Sequence, residues 1–468
     1  MSEKALGFAG TDDMKELQPV PEDERKGTAI DQFSIWMGAN ISVTNWALGA
    51  LPIILGLSLW DAILMMVLGN LVGAVFFALT TLPGKNTGLT AMVSTRYSFG
   101  TKGALSITLL QLINTIVWLG INTYFAVNVA VEILNQLGIG KSFFVYFLSS
   151  LFIFAVQVLV AVYGFRLIQR FDRVIVPLMF LMMLVMTWFA FDNPVSMTEG
   201  KLTGGERFGM MALIFAAAGI GWPLSWTTWA ADYSRHVPRS MSNGKLFWAS
   251  YLGMFVATVW LEIVGAAIAQ SMGTGLDPAA MVSQTIPGFV LPALILIFLG
   301  TVSTNVLNVE SGGLSILAMG AKLPRWGAGL INGLIGFVIC ILSIYFEAIS
   351  GVMHQWMLTL ILWMTPWTVI TIMDLLYFKK DQLMNGQRLY DPLPAVRWSA
   401  LASWFIGSVA SLLYANTPLY TGPFAKMSFG ADFSWVIGIG LTAVLYYAFA
   451  SIEKNRSASV MLQETTTP

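Results

Sequence analysis

The chain has 468 residues, of which 56 % are hydrophobic and 11 % charged, with no formal net charge and a mean hydropathy of +0.71. Ordinary soluble domains carry about 25 % charged residues, so this composition excludes them; the zero net charge says nothing about partners, and no nucleic-acid partner is expected. A single cysteine, Cys340, excludes an internal disulfide and a Cys-based metal cluster, while His236 and His354, far apart in sequence, argue against a His-rich metal site.

Residues 1–30 are polar, charged and proline-containing, and they read as a cytoplasmic tail. Twelve apolar stretches follow at 33–57, 61–82, 105–131, 142–162, 174–191, 208–231, 246–270, 288–318, 327–347, 353–377, 399–415 and 435–452. A helix needs about 20 apolar residues to cross a hydrocarbon layer of roughly 30 Å, so each stretch predicts a transmembrane helix. If the N-terminus starts inside, 21 of the 25 Lys and Arg residues fall on that side, leaving Lys141, Lys201, Arg207 and Lys426 outside. That asymmetry predicts a multi-pass protein of the cell membrane with both termini cytoplasmic. The longest loops are too short to bury cores of their own, and residues 453–468 read as a second, loose tail.

Two spans are interrupted. The first contains Gly38-Ala39-Asn40-Ile41-Ser42, then Thr44-Asn45, Gly49 and Pro52; the sixth contains Gly219-Ile220-Gly221-Trp222-Pro223, then Ser225-Trp226-Thr227-Thr228. Backbone groups freed at membrane depth persist only where they line an enclosed cavity. Interruptions five spans apart, at matching places in two halves, point to an inverted-repeat transporter. Glycines that merely permit close helix packing are the alternative.

In the third span Trp118 and Asn122 stand four residues apart and share one helix face. An indole beside a carboxamide suits a planar heteroaromatic ligand, the ring stacking while the amide pairs with its polar edge. The same pair also fits a packing Trp with Asn bonding a neighbouring helix. The eighth span carries Gly300-Thr301-Val302-Ser303-Thr304-Asn305, then Asn308 and Glu310. So many polar groups in lipid are expected only toward a cavity or a partner helix. Ser303 and Thr304 hydroxyls with the Gly300 carbonyl are expected to form half of an all-oxygen cation site, completed by carbonyls at Ala39 and Ser42; back-bonding of the hydroxyls to helix carbonyls is the alternative. Glu310, in the same helix, is either a proton-coupling group or a structural acid.

These segments resemble the nucleobase–cation symporter-1 family, which includes cytosine, purine, hydantoin and allantoin permeases. The resemblance covers nearly the whole chain. It rests on Phe33-Ser-Ile-Trp36-Met-Gly-Ala-Asn40-Ile, Gly56-Leu-Ser-Leu-Trp60, Gly84-Lys-Asn-Thr-Gly88, Ser94-Thr-Arg96-Tyr-Ser-Phe-Gly100, Ala230-Ala-Asp232-Tyr-Ser-Arg235 and Ser303-Thr-Asn305. It implies an all-α membrane protein of 12 helices: a five-plus-five inverted-repeat core of leucine-transporter type and two C-terminal helices. The repeats would span 31–192 and 193–378, with the last two helices in 379–452. It further implies that Trp118 stacks on the base and Asn122 contacts it. Trp222, Ser225 and Trp226 would contact it from the sixth span, and Asn305 or Asn308 would pair with it. In sodium-dependent members the ion site would fall on Ala39, Ser42, Gly300, Ser303 and Thr304; other members use protons.

The expected function is a symporter, not an enzyme, with no cofactor. It would import a nucleobase or related heterocycle by alternating access, coupled to Na+ or H+, with the lipid bilayer as its surroundings. An amino-acid or other organic-solute carrier of the same fold is the alternative. An integral-membrane enzyme is a weaker one, since His236, Asp232 and Arg235 read as a helix-end charge network.

Overall fold

The computed structural model describes residues 17–163, 165–192, 195–272, 278–286, 288–346, 349–417 and 419–466, so residues 1–16 of the expected N-terminal tail lie outside it. The first predicted span is two helices, α1 (Ala29–Asn40) and α2 (Val43–Ile54), separated at Ile41 and Ser42. They lead into α3 (Leu59–Thr87), α4 (Ala91–Phe99), α5 (Ala104–Gln136), α6 (Phe143–Tyr163) and α7 (Phe165–Asp192). The sixth span is divided more finely. Helix α8 (Gly204–Ile214) passes through a π-helical segment, Phe215–Gly221, into α9 (Trp222–Ser225) and α10 (Thr227–Ser234). Then come α11 (Asn243–Met272), α12 (Pro278–Thr285), α13 (Val290–Ala318), α14 (Arg325–Phe346) and α15 (Ile349–Met373). A second π segment, Asp374–Phe378, joins α15 to α16 (Lys380–Leu383), and α17 (Trp398–Leu412), α18 (Pro423–Met427) and α19 (Ser434–Thr466) complete the chain.

Among the described residues nine helices are long and apolar enough to cross a bilayer. Three shorter apolar helices, Val43–Ile54, Phe143–Leu159 and Trp398–Leu412, stand where three further spans are expected.

The packing is repetitive. Helix α3 lies on α11, and α5 on α13: second span on seventh, third on eighth. Helices α1 and α2 lie on α11, while α3 lies on the π segment and α10: first on seventh, and sixth on second. Helix α5 meets α14, and α6 meets α13: third on ninth, and fourth on eighth. Exchanging each span for the one five later maps this set of contacts onto itself, as two equivalent halves paired about a two-fold axis require. Helices α17 and α19 pack on each other and on α15, outside the repeat.

Glycine lets the interrupted spans seat closely. A Cβ at Gly69 of α3 would stand 2.8 Å from the Phe215 carbonyl oxygen, so α3 meets the π segment backbone to backbone. Helix α1 starts from a reciprocal cap: the Thr28 hydroxyl accepts from the Asp31 N–H at 3.1 Å, and the Asp31 carboxylate accepts from the Thr28 N–H at 2.9 Å. Thr28→Ala is expected to lower stability by about 1 kcal/mol, read as a shift in the thermal midpoint of detergent-purified protein.

The loose tail expected from residue 453 is instead helical as far as Thr466. Once a helix is nucleated, each further residue adds one bond, and Ala458, Met461, Leu462 and Gln463 favour propagation. Arg397 and Ser399 hold Glu453 at the root of that extension.

Candidate substrate and cation sites

The third, sixth and eighth spans line one small cavity. Its lining is Trp118 and Asn122 of α5, Trp222, Ser225, Trp226 and Trp229 of the sixth span, and Thr304 and Asn308 of α13. All eight are buried and none is charged. The sixth span reaches this wall because its ladder is broken locally: Gly219 and Gly221 lie in the π segment, Pro223 lacks an N–H, and Trp226 forms the joint between α9 and α10. Trp118 and Trp222 meet edge to face, with centroids 5.5 Å apart and planes at 84°. Trp226 continues the aromatic wall, 6.5 Å from Trp222 and 5.5 Å from Trp229.

Neighbouring residues orient the polar fittings. Thr44 Oγ1 donates to Asn122 Oδ1 at 2.7 Å, which leaves the Asn122 Nδ2 group as a donor. Asn308 Nδ2 donates to Asn305 Oδ1 at 2.9 Å, which leaves Asn308 Oδ1 as an acceptor. The indole N–H groups of Trp118, Trp226 and Trp229 are buried without a protein partner. Buried donors are rarely left unpaired, and these three stand at the cavity that the spans line. Trp222 is different: its Nε1 donates to Asn40 Oδ1 at 2.7 Å, pinning the sixth span to the broken end of α1.

That broken end meets α13 at an oxygen cluster. Thr304 Oγ1 lies 3.1 Å from the Gly300 carbonyl oxygen and 3.4 Å from that of Ala39. The last carbonyls of α1 have no intrahelical partner, because the helix stops at Asn40. The nearby Ser42 hydroxyl is buried with no hydrogen-bond partner. Neutral hydroxyl and carbonyl oxygens with a vacant lone pair fit a small hard monovalent cation.

Not every candidate falls at these two places. Asn305 does not line the cavity; its Nδ2 donates to the Leu119 carbonyl at 3.1 Å and to Thr123 Oγ1 at 2.7 Å, bracing α13 against α5 and holding Asn308. Ser303, expected among the cation ligands, is half-buried one residue before Thr304. Glu310 accepts from Arg325 Nη2 at 2.6 Å in an ion pair and does not line the cavity. Trp229 and Thr44 were not among the candidates. Trp229 follows Trp226 by three residues, a helical spacing that carries the signal, whereas Thr44 reaches Asn122 only through the fold.

The charge group at the end of the sixth span is structural. Asp232 accepts from the Ala91 N–H at 2.9 Å and from the Ser311 hydroxyl, joining α10 to α4 and α13. Burial, with Arg235, Arg325 and Arg25 nearby, lowers the His236 pKa to about 3, so this imidazole stays neutral.

The profile of a family described as "Permease for cytosine/purines, uracil, thiamine, allantoin" matches residues 19–438. The chain belongs to this family. The permease is 27 % identical to the putative purine-cytosine permease YxlA of Bacillus subtilis over 92 % of its own length and 94 % of the relative's. With the allantoin permease of the same organism it shares 24 % identity over 95 % and 94 % of the two chains. Its fold matches that of Mhp1, a nucleobase-cation-symport-1 family transporter solved in a closed conformation with bromovinylhydantoin bound. The TM-score is 0.74 at 18 % identity, covering 93 % of this chain and 94 % of that one. The permease is therefore a multi-pass membrane transporter and not an enzyme.

Proposed function

We propose that the permease is a cation-coupled symporter that imports a nucleobase or a closely related neutral heterocycle across the cell membrane, with both termini cytoplasmic. The observation that carries this reading is the double membership of Thr304, which lines the indole-walled cavity and also touches the Ala39 and Gly300 carbonyls. Occupancy of the oxygen cluster would hold the end of α1 against α13 and so complete the wall on which the base stacks. The Asn122 donor and the Asn308 acceptor would then pair with the base edge. A ligand lacking that edge would leave buried amides unpaired, which is costly. Alternate tilting of the two halves would expose the same cavity to each side in turn. One positive charge moving inward through 100 mV contributes about 2.3 kcal/mol, before any concentration gradient.

The names of the relatives support a purine or cytosine substrate, and the uncharged oxygen cluster supports sodium over protons. An amino acid would need partners for a carboxylate and an ammonium, and the cavity offers indoles and amides instead. The test is uptake into proteoliposomes under imposed sodium or proton gradients, with cytosine, uracil, hypoxanthine, allantoin and amino acids as competitors. A sodium gradient alone should drive accumulation of a base; competition by amino acids and not by bases would sink the reading. Thr304→Ala should raise the half-saturating sodium concentration roughly tenfold, the loss of one charge-assisted oxygen contact. Its order of preference among bases should stay the same. The reverse pattern would remove Thr304 from the cation site.

A further inference from the structure

Glu262 takes no part in either site, yet it is fully buried in α11, beside an equally buried Asn70 of α3. Asn70 Nδ2 donates to Glu262 Oε2 at 2.9 Å and to the Met66 carbonyl at 2.9 Å. Two oxygens of this same pair, Glu262 Oε1 and Asn70 Oδ1, are left buried without any hydrogen-bond partner. Both are acceptors, and a hydrogen on one of them would satisfy both. We propose that Glu262 is a proton-binding site: it holds one proton as a neutral carboxylic acid whose O–H donates to Asn70 Oδ1.

The surroundings favour the neutral form. Helix α2 and helix α12 carry no ionisable residue, and α1 carries only Asp31, held in its cap with Thr28. On α3 the ionisable groups are Asp61 and Lys85, at opposite ends and engaged by Arg207 and Asn243. On α7 they are Arg166, Arg170, Asp172, Arg173 and Asp192, also toward its ends, and on α11 itself Lys245 sits in the first turn. Among the described residues Glu262 has no ion-pair partner. An ionised Glu262 would be a fully buried charge with one neutral amide as its partner, a costly arrangement.

The position gives the proton a role. The Glu262 backbone bears directly on Gly49 of α2, and Gly69, next to Asn70, bears on Gly219 of the π segment. The acid–amide pair thus joins α3 to α11 behind both interrupted spans. Binding of a proton there holds α2 and the π segment in register around the cavity, and its loss at alkaline pH loosens them.

The test uses purified full-length protein in detergent and no substrate, so its outcome is independent of the transport reading. Infrared difference spectra of wild type minus Glu262→Gln at neutral pH should contain the C=O stretch of a hydrogen-bonded carboxylic acid. The wild-type thermal midpoint should fall as pH is raised into the alkaline range, and Glu262→Gln, whose amide donates the same bond without titrating, should lack that fall. Glu262→Ala should lower the midpoint at every pH. A difference spectrum with carboxylate bands and no acid band would overturn the proposal, and so would equal alkaline falls in wild type and Glu262→Gln.

Discussion

Trp118→Ala is expected to raise the KM for the transported base by roughly 5- to 150-fold, because stacking of a base on an aromatic side chain is worth about 1–3 kcal/mol. The upper part of that range applies if the neighbouring wall also shifts. Trp118 is the edge-to-face partner of Trp222, whose own N–H is tied to Asn40, so truncation removes a stacking face and unsupports a second indole. Trp118→Phe keeps an aromatic face and should lose less. Initial uptake rates against concentration of labelled base, at saturating sodium, give the measurement. The half-saturating sodium concentration should change little, since Trp118 is not one of the oxygens around Ala39. An unchanged KM in a folded Trp118→Ala protein would remove the indole from the substrate site.

The largest effect on stability is expected from Asp374→Ala, about 3–5 kcal/mol, the usual result of stripping one partner from a buried ion pair. Asp374 is fully buried in the second π segment, where it accepts from Arg397 Nη1 at 3.1 Å and from the Tyr446 hydroxyl. Arg397 is also buried, and it donates to the Ser98 carbonyl at 3.0 Å, the Tyr97 carbonyl at 3.3 Å and Glu453 at 3.2 Å. One guanidinium at the start of α17 therefore ties α4, the second π segment and α19 together. Burial works against its charge, but Asp374, Tyr446 and Glu453 outweigh that and hold its pKa above the ordinary arginine value. With Asp374 gone the charge stays, and the half-exposed Glu453 is left as its carboxylate partner. The thermal midpoint and the monodisperse fraction on size exclusion should both drop. The double variant Asp374→Leu with Arg397→Met should recover part of the loss, because it removes both charges and fills the space. A single variant as stable as the parent would show that the pair contributes nothing.

Much of the architecture is legible without coordinates because a bilayer imposes one strict rule on sequence. Apolar length marks a span, and a glycine or proline beside Asn, Ser or Thr marks a place where the helix stops and a cavity begins. The break in the first span was readable from Asn40 to Ser42; in the sixth, read at Gly219 to Pro223, the π segment begins earlier, at Phe215, and the joint falls later, at Trp226. Helical periodicity likewise places Trp118 and Asn122 on one face. It equally places Trp226 and Trp229 together, a pairing that the run of Trp residues had already contained.

Periodicity cannot say which way a face turns. Asn305 and Asn308 are three residues apart on one helix, and their chemistry is identical. Only the approach of α5 decides that Asn305 is consumed by Leu119 and Thr123 while Asn308 looks into the cavity. Glu310 belongs to the same polar run by sequence, but Arg325, brought back by the turn into α14, claims its carboxylate. Thr44 orients Asn122 from a helix 78 positions away in the chain. Composition and spacing by themselves determined that this chain crosses a membrane, where its helices break and which residue types stand at the breaks, since each of those depends on neighbours within a few turns. Which oxygen or ring faces the cavity was decided by tertiary packing, because a hydrogen bond spent on a distant helix is no longer available there.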